Sequence, residues 1–332
     1  MLSKKERIRN AVQGKRCARL PDAIWTHLPG IDMDPVRLAE ETFRFYKTYD
    51  TDLIKTMNNG MYAIEDFGCE IDYSQIEKGG VAKLVSTPVN SIDDWKLIKE
   101  KDLDECKAIQ RELYSLELLL EKVKDEDVPV IFTVFSPFTT ANKLCGNRIL
   151  EDIAIGDTKT IHEALQNITN ITVKLVKKAN ELGADGIFFA SQMSSYDVTD
   201  EKTFKEFGER YDRQVLEAPQ GFCDTIHCHG SNIMFDILKD YPVDIFNWHA
   251  WESLPDLEGV KACGKCVMGG LDRRDITDRN LEKIEEQIDA CVETFKGIKH
   301  ILAPGCVIRY PLDADTLKFI QEKALQLSRG RI

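Results

Sequence analysis

The sequence has no long hydrophobic run. Nowhere does it approach the ~18 uninterrupted apolar residues of a membrane-spanning helix. Its charged opening, Met1-Leu2-Ser3-Lys4-Lys5-Glu6-Arg7, lacks the apolar core that a secretory signal needs. Positive charge is not in excess either. The net charge is −12, which argues against a nucleic-acid partner, because phosphate binding needs a basic surface. There is no low-complexity linker and no internal repeat at solenoid spacing. No Gly-rich phosphate loop follows the first β-rich run, so the usual mark of a doubly wound dinucleotide fold is missing. These absences predict a cytoplasmic protein bound to neither membrane nor nucleic acid. The ten cysteines fit that reading as thiols of a reducing compartment, most of them small buried hydrophobes.

The residues that are present describe a soluble globular chain, with 43% hydrophobic and 30% charged residues over a length of 332. Ser3 and Glu6 make a capping box ahead of Ile8, Ala11 and Val12, and Gly14 stops that helix. Asp34-Pro35 starts a second helix with Leu38, Phe45 and Tyr49 on one face. The longest helix is expected over Thr158–Leu182, with Ile161, Leu165, Ile168 and Leu175 inward and Gly183 at its end. Between the helices lie short β-rich runs at Ala23–His27, Asp52–Lys55, Val128–Val134, Asp185–Ala190, Phe222–His227, Val243–Trp248, Lys265–Gly269 and Ile298–Leu302. Near-continuous apolar runs of this kind suit parallel strands covered on both faces. Strands alternating with helices predict an α/β fold, a single (β/α)₈ TIM barrel over residues 1–332. The interval 56–127 is too long for a simple connection. It is expected to be an insertion at the barrel mouth, holding a hairpin (Cys69–Tyr73 with Val81–Val85 around Gly79-Gly80) and a helix over Leu103–Val123.

In such a barrel the chemistry sits where the strands end. Four of the six histidines fall there: His27, His227, His229 and His249. Along a strand side chains alternate, so His227 and His229 face one way and Cys228 the other. Two same-face imidazoles alone are more often hydrogen-bonded histidines than metal ligands. Cys306, exposed by the turn Ala303-Pro304-Gly305 after the last strand, supplies a third donor at the same rim. The set His227, His229 and Cys306 leaves a fourth position open, the pattern of a catalytic zinc. Trp248, His249, Gln192 and Met193 at strand ends are candidates for a pocket lining, as are Lys55, Asn58 and Asn59 after the second strand and Asp272 after the seventh. Cys263-Gly264-Lys265-Cys266 has CxxC spacing but lies at the opposite end of the barrel, and with no second pair it reads as structural.

Val130-Ile131-Phe132-Thr133 leading to Ser136-Pro137-Phe138-Thr139, Gly183-Ala184-Asp185-Gly186-Ile187, the strand ending at His227, Gly269-Gly270-Leu271-Asp272 and Ala303-Pro304-Gly305-Cys306 together resemble the uroporphyrinogen decarboxylase superfamily. The branch most similar is that of the methylcobalamin:coenzyme M methyltransferases, and the resemblance runs over nearly the whole chain. It implies zinc held by His227, position 229 and Cys306, a pocket that includes Ser136 and Phe138, methylcobalamin or another corrinoid as co-substrate, and a small acceptor such as a thiol. The branch carries Cys where this chain has His229. That exchange makes the zinc site one unit more positive and puts the identity of the acceptor in question. No Asp-x-His-x-x-Gly corrinoid signature is present, so the corrinoid is expected on a separate protein. The arginine-rich motif of the decarboxylases is absent from Ile24–Gly30, which argues against porphyrin decarboxylation. A lyase acting on a non-porphyrin carboxylate and a non-catalytic corrinoid-binding barrel remain as alternatives, and the oligomeric state is left open.

Overall fold

A computed structural model describes residues 2–17, 19–76, 82–156, 158–218 and 221–328. Its strands are β1 (Ile54–Lys55), β2 (Glu70–Asp72), β3 (Lys83–Ser86), β4 (Val130–Phe135), β5 (Gly186–Ser191), β6 (Thr225–Cys228), β7 (Ile245–Trp248), β8 (Cys266–Leu271) and β9 (His300–Pro304). Seven of them form one curled parallel sheet in the order β1-β4-β5-β6-β7-β8-β9. Parallel neighbours need long crossovers, and helices supply them. The helix Lys159–Leu182 shows why. Ile161, Leu165, Ile168 and Leu175 recur at helical spacing and are buried, and Gly183 ends the helix at φ 112°.

The strand residues split between two cores. Ile131, Phe188, Ile245, Met268 and Ile301 pack on the concave side. Phe132, Ile187, Phe189, Ile226, Phe246, Val267 and Leu302 pack on the other side, under the helices. This is the period-2 alternation of strands buried on both faces. It also sorts the ends of β6 and β7. Cys228 and Trp248 belong to the outer core, so their neighbours His227 and Asn247 face inward.

Two expectations shift. The run Ala23–His27 forms isolated bridges, Asp22 to Leu302 and Thr26 to Ile308, instead of a regular strand. Side chains replace part of its ladder: the Thr26 hydroxyl donates to the Ile308 carbonyl at 2.8 Å. The segment still lies between the edge strands, with Ala23 N–H on Leu302 O (2.9 Å) and Asp52 N–H on Asp22 O (3.0 Å). The helix expected to begin at Leu103 spans Lys107–Val123 after a 3-10 turn at Leu103–Glu105. It packs against the helices Pro35–Tyr49 and Lys159–Leu182 and makes the crossover from β1 to β4. β2 and β3 pair antiparallel, while Gly79-Gly80, the expected turn, lies outside the described residues. Among the described residues, no helix is long and apolar enough to cross a membrane.

Candidate metal centre

Three strand ends converge on one point. His227 stands on β6, His249 follows β7, and Cys306 follows β9 through Gly305. That glycine is required by space, since a Cβ there would sit 2.7 Å from Trp248 O and 2.8 Å from His249 Cα. Its bareness lets the loop after β9 lie against the loop after β7. His229, one residue past β6, is tied by its N–H to Ser191 O at 3.0 Å. The result is that the side-chain donor atoms of His227, His229, His249 and Cys306 all lie within 4.8 Å of one another. Cys306 Sγ is 3.8 Å from His229 Nδ1.

The imidazoles are oriented from behind. His227 Nδ1 meets Asn247 Oδ1 at 2.6 Å. The amide cannot be turned round, because Asn247 Nδ2 donates to Met268 O (2.7 Å) and Pro304 O (3.3 Å). Nδ1 of His227 therefore carries the proton and Nε2 keeps a free lone pair. His249 Nδ1 faces Glu252 Oε1 at 3.3 Å, and its buried Nε2 has no hydrogen-bond partner. An orphaned buried nitrogen costs about 1–3 kcal/mol unless something satisfies it. A cation among these donors would do so, and the donor set fits one of the zinc class.

Electrostatics favour the same state. Burial lowers the pKa of all three histidines, and neighbouring imidazoles add to it for His227 and His249. His227 is held well below its usual value, His229 is lowered further by Arg273 and Lys143, and His249 falls to about 4. They are neutral, lone-pair-bearing rings at physiological pH. Burial pushes the Cys306 thiol up, so it would surrender its proton to a metal and not to water.

The other candidate residues divide. Lys55 lies over the Phe188 ring, which stacks on His227. Burial first, then Lys55 and Lys143, bring His27 down to about 4, and Lys55 itself is brought down to about 7 by burial. Gln192 is half-buried and follows Ser191, its N–H on Thr139 Oγ1 at 2.9 Å. Ser136 caps the helix Pro137–Leu144, and Phe138 is fully buried against Phe207. Met193 belongs to the outer core. Trp248 packs there too, its Nε1 donating to Pro255 O at 2.8 Å. Asp272 caps the helix Arg273–Thr277 and pairs with Arg274 at 2.6 Å. Asn58 donates to Glu112 at 2.9 Å, and Asn59 accepts from Met61 N–H at 2.8 Å. Sequence reasoning placed His249 only in a pocket lining and overlooked Asn247, Glu252 and Lys143. Glu252, three residues beyond His249 in the turn after β7, was the available signal for a carboxylate-oriented imidazole.

A family model described as uroporphyrinogen decarboxylase (URO-D) matches residues 4–325. The chain belongs to the uroporphyrinogen decarboxylase family. Within that family it is 22% identical over 326 residues to a methylcobamide:CoM methyltransferase, MtaA, of Methanosarcina barkeri (strain Fusaro / DSM 804), covering 92% of each chain. A second MtaA of Methanosarcina barkeri is 23% identical over the same length. Among solved structures, a methyltransferase from Methanosarcina mazei superposes with a TM-score of 0.82 at 18% identity, over 98% of this chain and 99% of that one. A B12-independent methionine synthase from Shewanella sp. W3-18-1 shares the fold at a TM-score of 0.56 and 14% identity, over 95% and 94% of the two chains. The resemblance read from the motifs is thereby borne out.

Proposed function

We propose that this protein is a zinc-dependent methyltransferase, moving a methyl group between a corrinoid on a separate protein and a small acceptor such as a thiol. The observation that carries the reading is the donor cluster, with His249 Nε2 buried and unpartnered inside it. The kinship with methylcobamide:CoM methyltransferases supports it. We take the fold as a single closed (β/α)₈ barrel, with the segment 21–26 as the stave between β9 and β1, and the protein as cytoplasmic.

His227, His229 and Cys306 would hold the ion, with His249 as a further donor. Zinc bound there would supply Lewis acidity, lowering the pKa of an acceptor thiol. Asn247 and Glu252 fix the tautomers of His227 and His249, so both rings present a lone pair without rearrangement. His229, a neutral ring in place of the branch's thiolate, leaves the site more positive. An acceptor would ionise more readily there and be a weaker nucleophile once ionised.

The test is metal analysis of protein purified without oxygen or chelators, then the methylcobalamin spectrum followed with a panel of acceptors. The expected result is stoichiometric zinc and loss of methylcobalamin with at least one acceptor. Substoichiometric metal, or turnover of a carboxylate substrate by metal-free protein, would overturn the proposal in favour of a lyase.

A further inference from the structure

The turn after β7 brings both His249 and Glu252 to the donor cluster. It is built on one carbonyl, His249 O, which accepts the N–H groups of Glu252 and Ser253 at 2.9 Å each. Neighbouring loops fasten it on two sides. Trp251 Nε1 donates to Gly270 O at 2.9 Å, and the Ile233 N–H donates to Ser253 Oγ at 3.4 Å. These contacts place the backbone of Glu252. They leave its carboxylate unplaced, because the side chain is 21% exposed and rotates about bonds of its own.

Two groups meet the same carboxylate oxygen. Oε1 lies 3.3 Å from His249 Nδ1 and 3.4 Å from Arg273 Nε. The imidazole contact is longer than the usual N–H···O range of about 2.7–3.2 Å, and the ring is neutral, so it is a weak tether. The guanidinium is always charged, and its attraction for the carboxylate falls only slowly with distance. Arg274 Nη1 stands 3.9 Å from Oε2, but Asp272 claims that side chain through contacts of 2.6, 3.0 and 3.1 Å. Arg273 makes no other ion pair among the described residues. Its backbone is firm, since Asp272 caps the helix that Arg273 begins and is itself held by Gln287 at 2.9 Å. A line of contacts thus runs from a capped helix start through Arg273 and Glu252 to His249, whose Nε2 lies among the metal donors.

Arg273 acts on a bound cation in two opposed ways. Its charge repels the cation, but the side chain is 27% exposed and water screens it. Its hold on Glu252 keeps the His249 ring aimed, and groups that orient a ligating imidazole are commonly worth about 10–100-fold in metal affinity. The second effect is the larger.

We infer that Arg273 is a positioning residue of the metal centre, acting through Glu252 to aim His249. The inference rests on the metal part of the reading above.

Zinc affinity, measured by chelator competition, and the visible spectrum of the cobalt(II)-substituted protein test it. Arg273→Met should bind zinc about tenfold more weakly or worse, and its cobalt spectrum should change. Arg273→Lys keeps the charge without the planar fork and should recover only part of the loss. In a Glu252→Ala background, Arg273→Met should cause no further weakening. Parental affinity in Arg273→Met would overturn the inference. Tighter binding would do the same, since the charge alone would then be acting. Equal losses with and without Glu252 would also overturn it, because the arginine would be working by another route. If Arg273→Met fails to fold, Arg273→Lys with and without Glu252→Ala decides by the same comparison. A parent chain that takes up no zinc would sink the metal reading and this inference together, whereas a zinc-binding parent with unaltered variants would sink this inference alone.

Discussion

The two ends of the sheet handle buried charge in opposite ways. Where the strands begin, carboxylates meet partners at almost every position. Asp52, fully buried, accepts from Arg7, from Arg19 at 2.6 Å and from the Asp22 N–H at 3.3 Å. Asp185 takes the Val130 N–H at 3.1 Å and Lys5 at 2.7 Å. Asp224 takes the Ile187 N–H at 3.0 Å, and Asp244 the Asp224 N–H at 3.0 Å. Each acid sits just before a strand and pins the backbone of its neighbour. Where the strands end, among the described residues His249 Nε2 has no partner and the Lys55 and Lys143 ammoniums hydrogen-bond to carbonyls. At the first end the acids are mostly satisfied by the protein itself, with Arg7 Nε and Asp22 Oδ2 as buried exceptions, while at the other a ring nitrogen of the donor cluster is left without a partner. The paired acids and the candidate metal centre lie at opposite ends of the same strands.

The contrast can be broken from either side. The largest effect is expected at the strand-start end. Asp52→Ala leaves the Arg7 guanidinium without its carboxylate and Arg19 with Asp22 alone, and should cost about 3–5 kcal/mol of folding stability, read from urea denaturation. Lys55→Met, at the other end, should cost nothing or stabilise. Equal losses would erase the distinction between the ends.

Next comes Cys306→Ser, which should lower zinc affinity on the order of 100-fold or more while the unfolding midpoint of the metal-free protein barely moves. Competition with a chromogenic chelator measures the first and thermal melting the second. A variant that keeps parental affinity would remove Cys306 from the ligand set.

Asp224 sharpens the comparison through pH. Burial, then Asp244, raises its pKa from the usual 3.8 to about 7. Between those values the folded chain holds a proton that the unfolded chain has released. The stability it contributes is therefore full below pH 4 and lost as pH rises toward 7, at up to about 1.4 kcal/mol per unit. Asp224→Asn keeps an acceptor for the Ile187 N–H and removes the titration. The melting temperature of the variant relative to the parent should climb from pH 4 to pH 7, and a constant gap would show that the carboxyl is not protonated in the folded state.

The smallest effect is asked of His229→Cys. It restores the thiolate of the related branch and should keep zinc bound while raising methyl transfer from methylcobalamin to a simple thiol roughly severalfold. Loss of zinc would mean that sulfur cannot reach from this backbone. An unchanged rate would mean that the pocket, and not the metal's charge, sets the chemistry.

Much of the fold was legible because its signals are local. The capping box at Ser3 and Glu6, the Asp34-Pro35 start and the glycine stop at Gly183 appear in the structure as read. The first stave was misjudged in kind, because the apolar pattern of Ala23–His27 does not reveal that a threonine hydroxyl takes over part of the ladder. The part played by the helix of the long interval is not legible in the sequence, because a crossover helix and an inserted one have the same amphipathic pattern and differ only in what they pack against.

At the site the same division holds. The pleat of a strand is a local property, so sequence alone determines that His227 turns away from Cys228, which packs in the outer core. The Pro-Gly turn before Cys306 is local too. Only the tertiary structure decided that His249 joins the donors, since this depends on the β6–β7 register that puts Asn247 beside His227, and on the close approach of Gly305 to the His249 backbone. Only the tertiary structure, likewise, left Lys55 and Lys143 without a carboxylate partner among the described residues. Whether a charge is paired depends on what folding carries to it from elsewhere in the chain, and no window of the sequence contains that.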